Sequence, residues 1–156
     1  MLVQVWHFSF TVSDIEQSVL FYRDVLGLEL VHRQEQANEY TRRFVGYADA
    51  HLKVAQFRIA AAPVNRSGHM LELIEYVAPR GEKIDTRTKN TGTAHLAFEV
   101  DDIQTEYNRM RALGVRFRTA PVAIEAGINK GGFTCYFLDP DDITLEIIQP
   151  PERIVP

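Results

Sequence analysis

The sequence contains one cysteine, no long apolar run and no excess of positive charge, and each absence excludes a class of protein. Cys135 has no partner for an internal disulfide, which is typical of a protein from a reducing compartment. No apolar stretch approaches the roughly 20 residues that a membrane-spanning helix needs. Lys and Arg together number 17 against 21 Asp and Glu, so no overall field draws the chain to nucleic acid or anionic lipid.

The first residues, MLVQVWHF, also lack the basic region that opens a secretory signal. We therefore expect a cytoplasmic protein whose partner is a small-molecule substrate rather than nucleic acid or a membrane. Apolar residues make up 46% of the chain, which is ordinary for a globular protein and too many for disorder. A length of 156 residues suits one compact domain or two small modules that share a core.

The sequence does contain an internal repeat. Residues 7–15, HFSFTVSDI, align with residues 95–103, HLAFEVDDI, at an offset of 88 residues, and five of the nine positions are identical. Residues 71–76, LELIEY, align in the same way with residues 145–150, LEIIQP, at an offset of 74 residues. The chain therefore consists of two related halves, and histidine and glutamate fall at matching places in both.

Each half opens with a strand that leads into a helix. Residues 4–12 alternate apolar and polar side chains, as a half-buried strand does. Ser13 then predicts a helix N-cap, with Glu16 completing a capping box, and Gly27 is expected to end the helix in a left-handed conformation. The same roles in the second half are predicted for Asp101, Gln104 and Gly114.

Short apolar runs and turn residues predict the remaining elements. Further strands are expected at residues 28–33, 44–47, 52–59, 69–76, 115–118, 133–138 and 143–148. Loops or turns are expected at residues 48–50, 60–68, 119–132 and 139–142, and a loop rim or ragged edge strand at residues 34–43.

These elements predict an α+β fold of two βαβββ modules that form a curled mixed sheet around a cleft. Module 1 covers about residues 4–77, a polar linker residues 78–92, and module 2 about residues 93–150. We expect residues 1–156 to form a single domain, because a half of ~60–75 residues buries too little surface to be stable alone.

Four residues at matching places in the two halves form the candidate site: His7, Glu72, His95 and Glu146. A lone histidine on a strand is more often structural, but a carboxylate inside an apolar strand costs several kcal/mol unless it is paired or bound to a cation. If a pseudo-twofold axis relates the halves, two imidazoles and two carboxylates converge on one cavity. A divalent cation removes the repulsion between the carboxylates, and these N and O donors suit Zn, Ni, Co, Mn or Fe(II).

Other histidines and acidic residues have simpler interpretations. His69 falls on the opposite face of its strand from Glu72 and is expected to be structural. Cys135 lies in an apolar strand with no evident activating base and is expected to be inert core. The residues expected to be solvated, at the surface or simply paired are His32, His51 and Glu75.

With these residues the sequence resembles the vicinal oxygen chelate superfamily, the glyoxalase, bleomycin-resistance and extradiol-dioxygenase group. The likeness rests on His7 with the helix that follows it, on LEL at 71–73, and on residues 94–100 and 137–146. It covers nearly the whole chain. It implies paired βαβββ modules, a metal ion in the cleft and usually a homodimer.

Within this superfamily the four ligands most resemble the set of glyoxalase I. Methylmalonyl-CoA epimerases are similar but commonly have Gln at the position of Glu72. Extradiol dioxygenases use three protein ligands, and bleomycin-binding members lack the ligands.

By this resemblance we expect a metal-dependent isomerase or lyase of the glyoxalase or epimerase type. A substrate with oxygens on adjacent carbons would chelate the ion, and Glu146 or Glu72 would move a proton through a metal-stabilised enediolate. The alternatives are an Fe(II) extradiol-type dioxygenase and a non-enzymatic small-molecule or antibiotic-binding protein.

Overall fold

Two compact units, residues 1–83 and 84–156, make up the chain, and each is built on one mixed β-sheet. The structure is a computed structural model that describes residues 1, 5–59 and 69–151. The predicted loop at 60–68 lies outside the described residues. No helix among the described residues is long and apolar enough to cross a membrane.

The first unit contains a four-stranded sheet and two helices. Its sheet has the order β1-β4-β3-β2, with β1 parallel to β4 and the other neighbours antiparallel. Its elements are β1 (His7–Thr11), α1 (Ile15–Leu20) with a following π-helical turn (Phe21–Val25), β2 (Glu29–Gln36), α2 (Glu39–Val45), β3 (His51–Arg58) and β4 (Met70–Ala78).

One face of this first sheet packs against α1 and forms the core of the unit. Tyr22, in the π-helical turn, is buried and its ring centroid lies 6.0 Å from that of Phe57. Leu71 and Leu73 are buried as well, and they alternate with Glu72 along β4. Because successive strand residues point to opposite faces, Glu72 lies on the face away from α1.

The second unit repeats the plan with one helix. Its sheet has the order β5-β9-β8-β6, and β7 also pairs with β8. Its elements are β5 (Leu96–Glu99), α3 (Ile103–Ala112), β6 (Arg116–Phe117), β7 (Val122–Ala123), β8 (Phe133–Leu138) and β9 (Thr144–Gln149). Tyr107 of α3 packs edge-on against Phe117, and Phe117 packs against the fully buried Phe137.

In each unit, a side chain of the strand that comes last in the sequence, β4 or β9, accepts a hydrogen bond from the first residue of the unit's first helix. The backbone N–H of Ile15 donates to the buried carboxylate of Glu75 over 3.0 Å. The N–H of Ile103 donates in the same way to Gln149 over 2.9 Å. Glu75 and Gln149 are related by the same offset as Glu72 and Glu146, so the repeat extends to the hydrogen bonds that fix the helices.

The predicted N-caps of both helices are wrong by one residue. Asp14, not Ser13, accepts the free amides of the first turn of α1, and Asp102, not Asp101, does so in α3. The aspartates have extended backbones, which place the carboxylate over the amides two and three residues on. The predicted glycine ends are confirmed, with φ values of 75° at Gly27 and 84° at Gly114.

The predicted strand at 44–47 is also wrong, because residues 44 and 45 belong to the end of α2 and residues 46 and 47 form no strand. Asn38 caps this helix by accepting from the N–H of Thr41 over 2.9 Å, and Gly46 ends it with φ of 81°. Of the two alternatives for 34–43, the edge strand is confirmed for residues 34–36, which continue the edge strand β2. In the second unit, β7 interrupts the predicted loop at 119–132.

The α+β class with two mixed sheets is confirmed. Each unit keeps the βαβββ order, with α2 added in the first and β7 in the second. The expectation that both units form a single domain stays a prediction.

Candidate functional site

His7 and Glu72 form a pair on neighbouring strands of the first sheet. In the parallel pairing of β1 with β4, Glu72 lies opposite Ser9, two residues after His7. The distance between His7 Nε2 and Glu72 Oε1 is 3.7 Å. Gln56, which lies opposite Glu72 on β3, donates its side-chain N–H to Glu72 Oε2 over 2.8 Å. The amide therefore fixes one carboxylate oxygen while the other faces the imidazole.

His95 and Glu146 form the corresponding pair in the second unit. Glu146 lies opposite Ala97, which is two residues after His95. The distance between His95 Nε2 and Glu146 Oε2 is 3.2 Å. The hydroxyl of Thr134, on β8, donates a short hydrogen bond to Glu146 Oε1. Again one oxygen is held by a neutral donor and the other faces the histidine.

The four predicted ligands thus occur as two pairs at equivalent register. Among the described residues, no three His, Cys, Asp or Glu side chains are grouped so that they could hold an ion. The assembly of both pairs into one four-ligand site stays a prediction.

Both carboxylates are mostly buried, and no described Lys or Arg side chain is paired with them. The exposed fraction is 13% for the side chains of Glu72 and Glu146, against 37% for His7 and 42% for His95. Within the part of the chain that the structure describes, no Lys or Arg forms an ion pair with either glutamate. A carboxylate in such surroundings costs several kcal/mol unless positive charge compensates it. Imidazole nitrogens beside uncompensated carboxylate oxygens are a donor set that fits a divalent cation.

Tyr136 lies beside both members of the His95–Glu146 pair. It lies directly opposite Glu146 on β8, and its ring packs edge-on against His95 with centroids 5.3 Å apart. Burial, and then the nearby charge of Glu146, raise the pKa of the Tyr136 hydroxyl above its usual value. The phenol is therefore a hydrogen-bond donor at neutral pH.

The sequence model of the Glyoxalase/Bleomycin resistance protein/Dioxygenase superfamily matches residues 4–147. The chain belongs to this superfamily, the vicinal oxygen chelate group. It is 35% identical over 153 residues to a 2-epi-5-epi-valiolone epimerase from an Actinomyces species, covering 96% of this chain and 80% of the relative. It is 31% identical over 150 residues to a lactoylglutathione lyase from Haemophilus influenzae, covering 94% and 93%.

Solved structures of the superfamily share the fold. A glyoxalase family protein from Bacillus cereus matches with a TM-score of 0.76 and 18% identity, covering 97% of this chain and 96% of the other. The fosfomycin resistance protein FosX from Listeria monocytogenes, complexed with Mn(II) and sulfate, matches with a TM-score of 0.61 and 21% identity, covering 97% and 96%. The curated relatives support a function of the glyoxalase or epimerase type.

His69, His51 and Cys135 have contacts that do not involve the four proposed ligands, apart from the charge of Glu146 near Cys135. His69 bonds through Nδ1 to the Val5 carbonyl over 2.8 Å, which agrees with the structural role expected for it. His51 lies 2.7 Å from Glu35 at the surface. Burial, and then the charge of Glu146, raise the pKa of the Cys135 thiol to about 11, so it stays protonated at neutral pH, in line with an inert core residue.

Of the two expectations for Glu75, solvated or paired, the structure agrees with the second, since Glu75 is buried and its carboxylate accepts the first amide of α1. Sequence reasoning missed Gln56, Thr134 and Tyr136. For Thr134 and Tyr136 a signal existed, because the turn at 139–142 fixes the antiparallel register and places Tyr136 opposite Glu146. For Gln56 no such signal existed, because β3 ends at Arg58 and β4 begins only at Met70, which is too far along the sequence for a tight turn to set the register.

Proposed function

We propose that this protein is a metal-dependent isomerase or lyase of the glyoxalase or epimerase type. It moves a proton on the carbon beside the carbonyl of a small substrate that has oxygens on adjacent carbons. The observation that carries this proposal is the pair of His–Glu contacts at equivalent register, each with a mostly buried carboxylate and no cationic neighbour among the described residues. The names of the Actinomyces epimerase and the Haemophilus lyase support the reaction type.

His7, Glu72, His95 and Glu146 together would hold the ion. The mixed donor set suits Zn, Ni, Co, Mn or Fe(II). A bound divalent ion would act as a Lewis acid toward two adjacent substrate oxygens and increase the acidity of the neighbouring C–H.

One of the two glutamates serves as the base that removes and returns the proton. A carboxylate in reach of the C–H is a competent base when its orientation is fixed. Gln56 fixes Glu72 and Thr134 fixes Glu146, so each carboxylate keeps one oxygen directed away from its supporting donor. Return of the proton to the opposite face of the same carbon gives epimerisation, and return to the neighbouring carbon gives isomerisation.

A homodimer is part of this proposal. β1 is an edge strand of the first sheet, and the neighbouring Val5, Trp6 and Phe8 are exposed. An exposed edge strand with large apolar side chains is a surface suited to pairing with a second copy of the chain. The native mass of the protein tests this part.

The test of the reaction is deuterium uptake from D₂O at the carbon beside the carbonyl. Hydroxyacetone and 1,3-dihydroxyacetone are suitable probes, with NMR detection and protein loaded in turn with Zn, Ni, Co, Mn or Fe(II). We expect uptake with loaded wild-type protein and at least a hundredfold loss in Glu146→Gln, because the amide neither accepts the proton nor balances the ion's charge. Oxygen consumption with iron and a catechol would instead favour the dioxygenase alternative.

Glu125→Gln is the matched control, because Glu125 is an exposed glutamate of the same unit. His69→Ala is a second control, since His69 bonds to the backbone. Both variants should keep uptake and bound metal. Full uptake after chelator treatment, or equal behaviour of the Glu146 and Glu125 variants, would refute the proposed function.

A further inference from the structure

We infer that Tyr136 contacts the substrate and selects for a third oxygen, a hydroxyl or a carbonyl, in addition to the two oxygens that would chelate the metal ion. This inference rests on the proposed function, since it assumes that the substrate binds beside His95 and Glu146. It names a substrate class, the polyoxygenated ketones, in preference to ketones with an apolar remainder.

The position of Tyr136 places it at the reacting end of the second unit. Directly paired residues of antiparallel strands share a face, so Tyr136 lies on the same face as Glu146. Its ring rests edge-on against His95, at 5.3 Å between centroids and 67° between planes. The ring of Tyr136 therefore packs against His95 and lies next to Glu146, the two proposed ligands of this unit.

The hydroxyl of Tyr136 remains available to a ligand. Tyr136 is half-buried, and no hydrogen bond joins its hydroxyl to any of the described residues. Part of the Tyr136 surface is exposed to solvent. A substrate oxygen can take the place of that solvent.

Comparison with the first unit shows that Tyr136 is not the residue that supports the Glu146 carboxylate. Gln56 occupies the equivalent register position, opposite Glu72, and its amide is committed to that carboxylate. In the second unit Thr134 supports Glu146 from two residues away. Tyr136 is therefore not needed to orient the carboxylate, and the two halves differ at the position nearest the substrate.

A phenol that donates to one further substrate oxygen gives modest and measurable discrimination. A hydrogen bond between neutral groups contributes about 0.5–1.5 kcal/mol net. A substrate without the oxygen leaves the phenol in contact with apolar carbon and loses that contribution. The expected selectivity is about threefold to tenfold.

The test compares hydroxyacetone with 1,3-dihydroxyacetone, which carries a second hydroxyl besides the carbonyl–hydroxyl pair that would chelate the ion. We expect wild-type protein to bind and exchange dihydroxyacetone about threefold to tenfold better per carbonyl–hydroxyl pair, since dihydroxyacetone has two such pairs and hydroxyacetone has one. In Tyr136→Phe this preference should vanish because binding of dihydroxyacetone weakens, while the affinity for Mn(II) stays unchanged. Tyr40→Phe, which removes an exposed hydroxyl from α2, should keep the preference.

A binding measurement separates this inference from the proposed function. Ligand-observed NMR with protein loaded with Zn in place of Mn measures the binding of each ketone, whether or not deuterium exchange occurs. Binding of dihydroxyacetone that weakens in Tyr136→Phe supports the contact even when no deuterium exchange occurs, an outcome that contradicts only the proposed reaction. An equal effect of Tyr136→Phe on both ketones, an unchanged preference, or no preference in the wild type would overturn the inference.

Discussion

Thr134 has one hydroxyl hydrogen and two acceptors in reach. The carboxylate of Glu146 accepts it in a short hydrogen bond, and the carbonyl of Ile147 lies 3.2 Å from the same oxygen. A charged acceptor competes better than a neutral one, so the hydrogen is held by Glu146. This bond sets which carboxylate oxygen faces His95.

We predict that Thr134→Val weakens divalent-metal binding about tenfold, because groups that orient metal ligands typically contribute one to two powers of ten in affinity. A competition titration against a fluorescent chelator measures the change. Thr134→Ser should keep the wild-type affinity, since it retains the hydroxyl, and Thr119→Val at an exposed position should have no effect. Equal affinities of the Thr134→Val variant and the wild-type protein would contradict the role of Thr134 in orienting Glu146 as a ligand.

At the scale of elements, α2 depends on its cap more than the other helices do. Thr41 is its one buried residue, while Tyr40 and Phe44 are exposed and stack on each other at the surface. With so little apolar burial, the Asn38 side chain contributes a large share of the helix's stability.

We predict that Asn38→Ala lowers the free energy of unfolding by about 1 kcal/mol, because the Thr41 amide loses its acceptor. Asn38→Asp keeps an acceptor at the same place and should lose much less. Urea unfolding followed by circular dichroism measures both. Identical unfolding midpoints for the two variants would contradict the capping role.

The same element illustrates what the sequence can predict. α1 and α3 bury apolar residues at helical spacing, so their periodicity revealed them. α2 buries almost nothing, so the sequence predicted a loop rim or ragged edge strand at 34–43 and a strand at 44–47 in its place. Only Asn38 and Gly46 signalled a helix. The paired ligands were found because they repeat, whereas Gln56, Thr134 and Tyr136 differ between the halves and left no repeat to find.

At the scale of the whole molecule, the repeat of the same set of groups in both units supports a metal site better than either unit does alone. Each unit carries one imidazole, one mostly buried carboxylate and one neutral donor that holds it. Two ligands from side chains bind a divalent ion weakly, whereas four are typical of a tight protein site. A single ion held by both pairs, as proposed above, would have such a set of four ligands.

Native mass spectrometry of the metal-loaded protein tests this shared ion most directly. We predict one divalent ion per chain in the wild type, and loss of that ion in His7→Ala and in His95→Ala alike, because each variant removes a ligand from the same shell. A wild-type protein that holds no ion, or variants that each retain an ion on the untouched pair, would contradict the account.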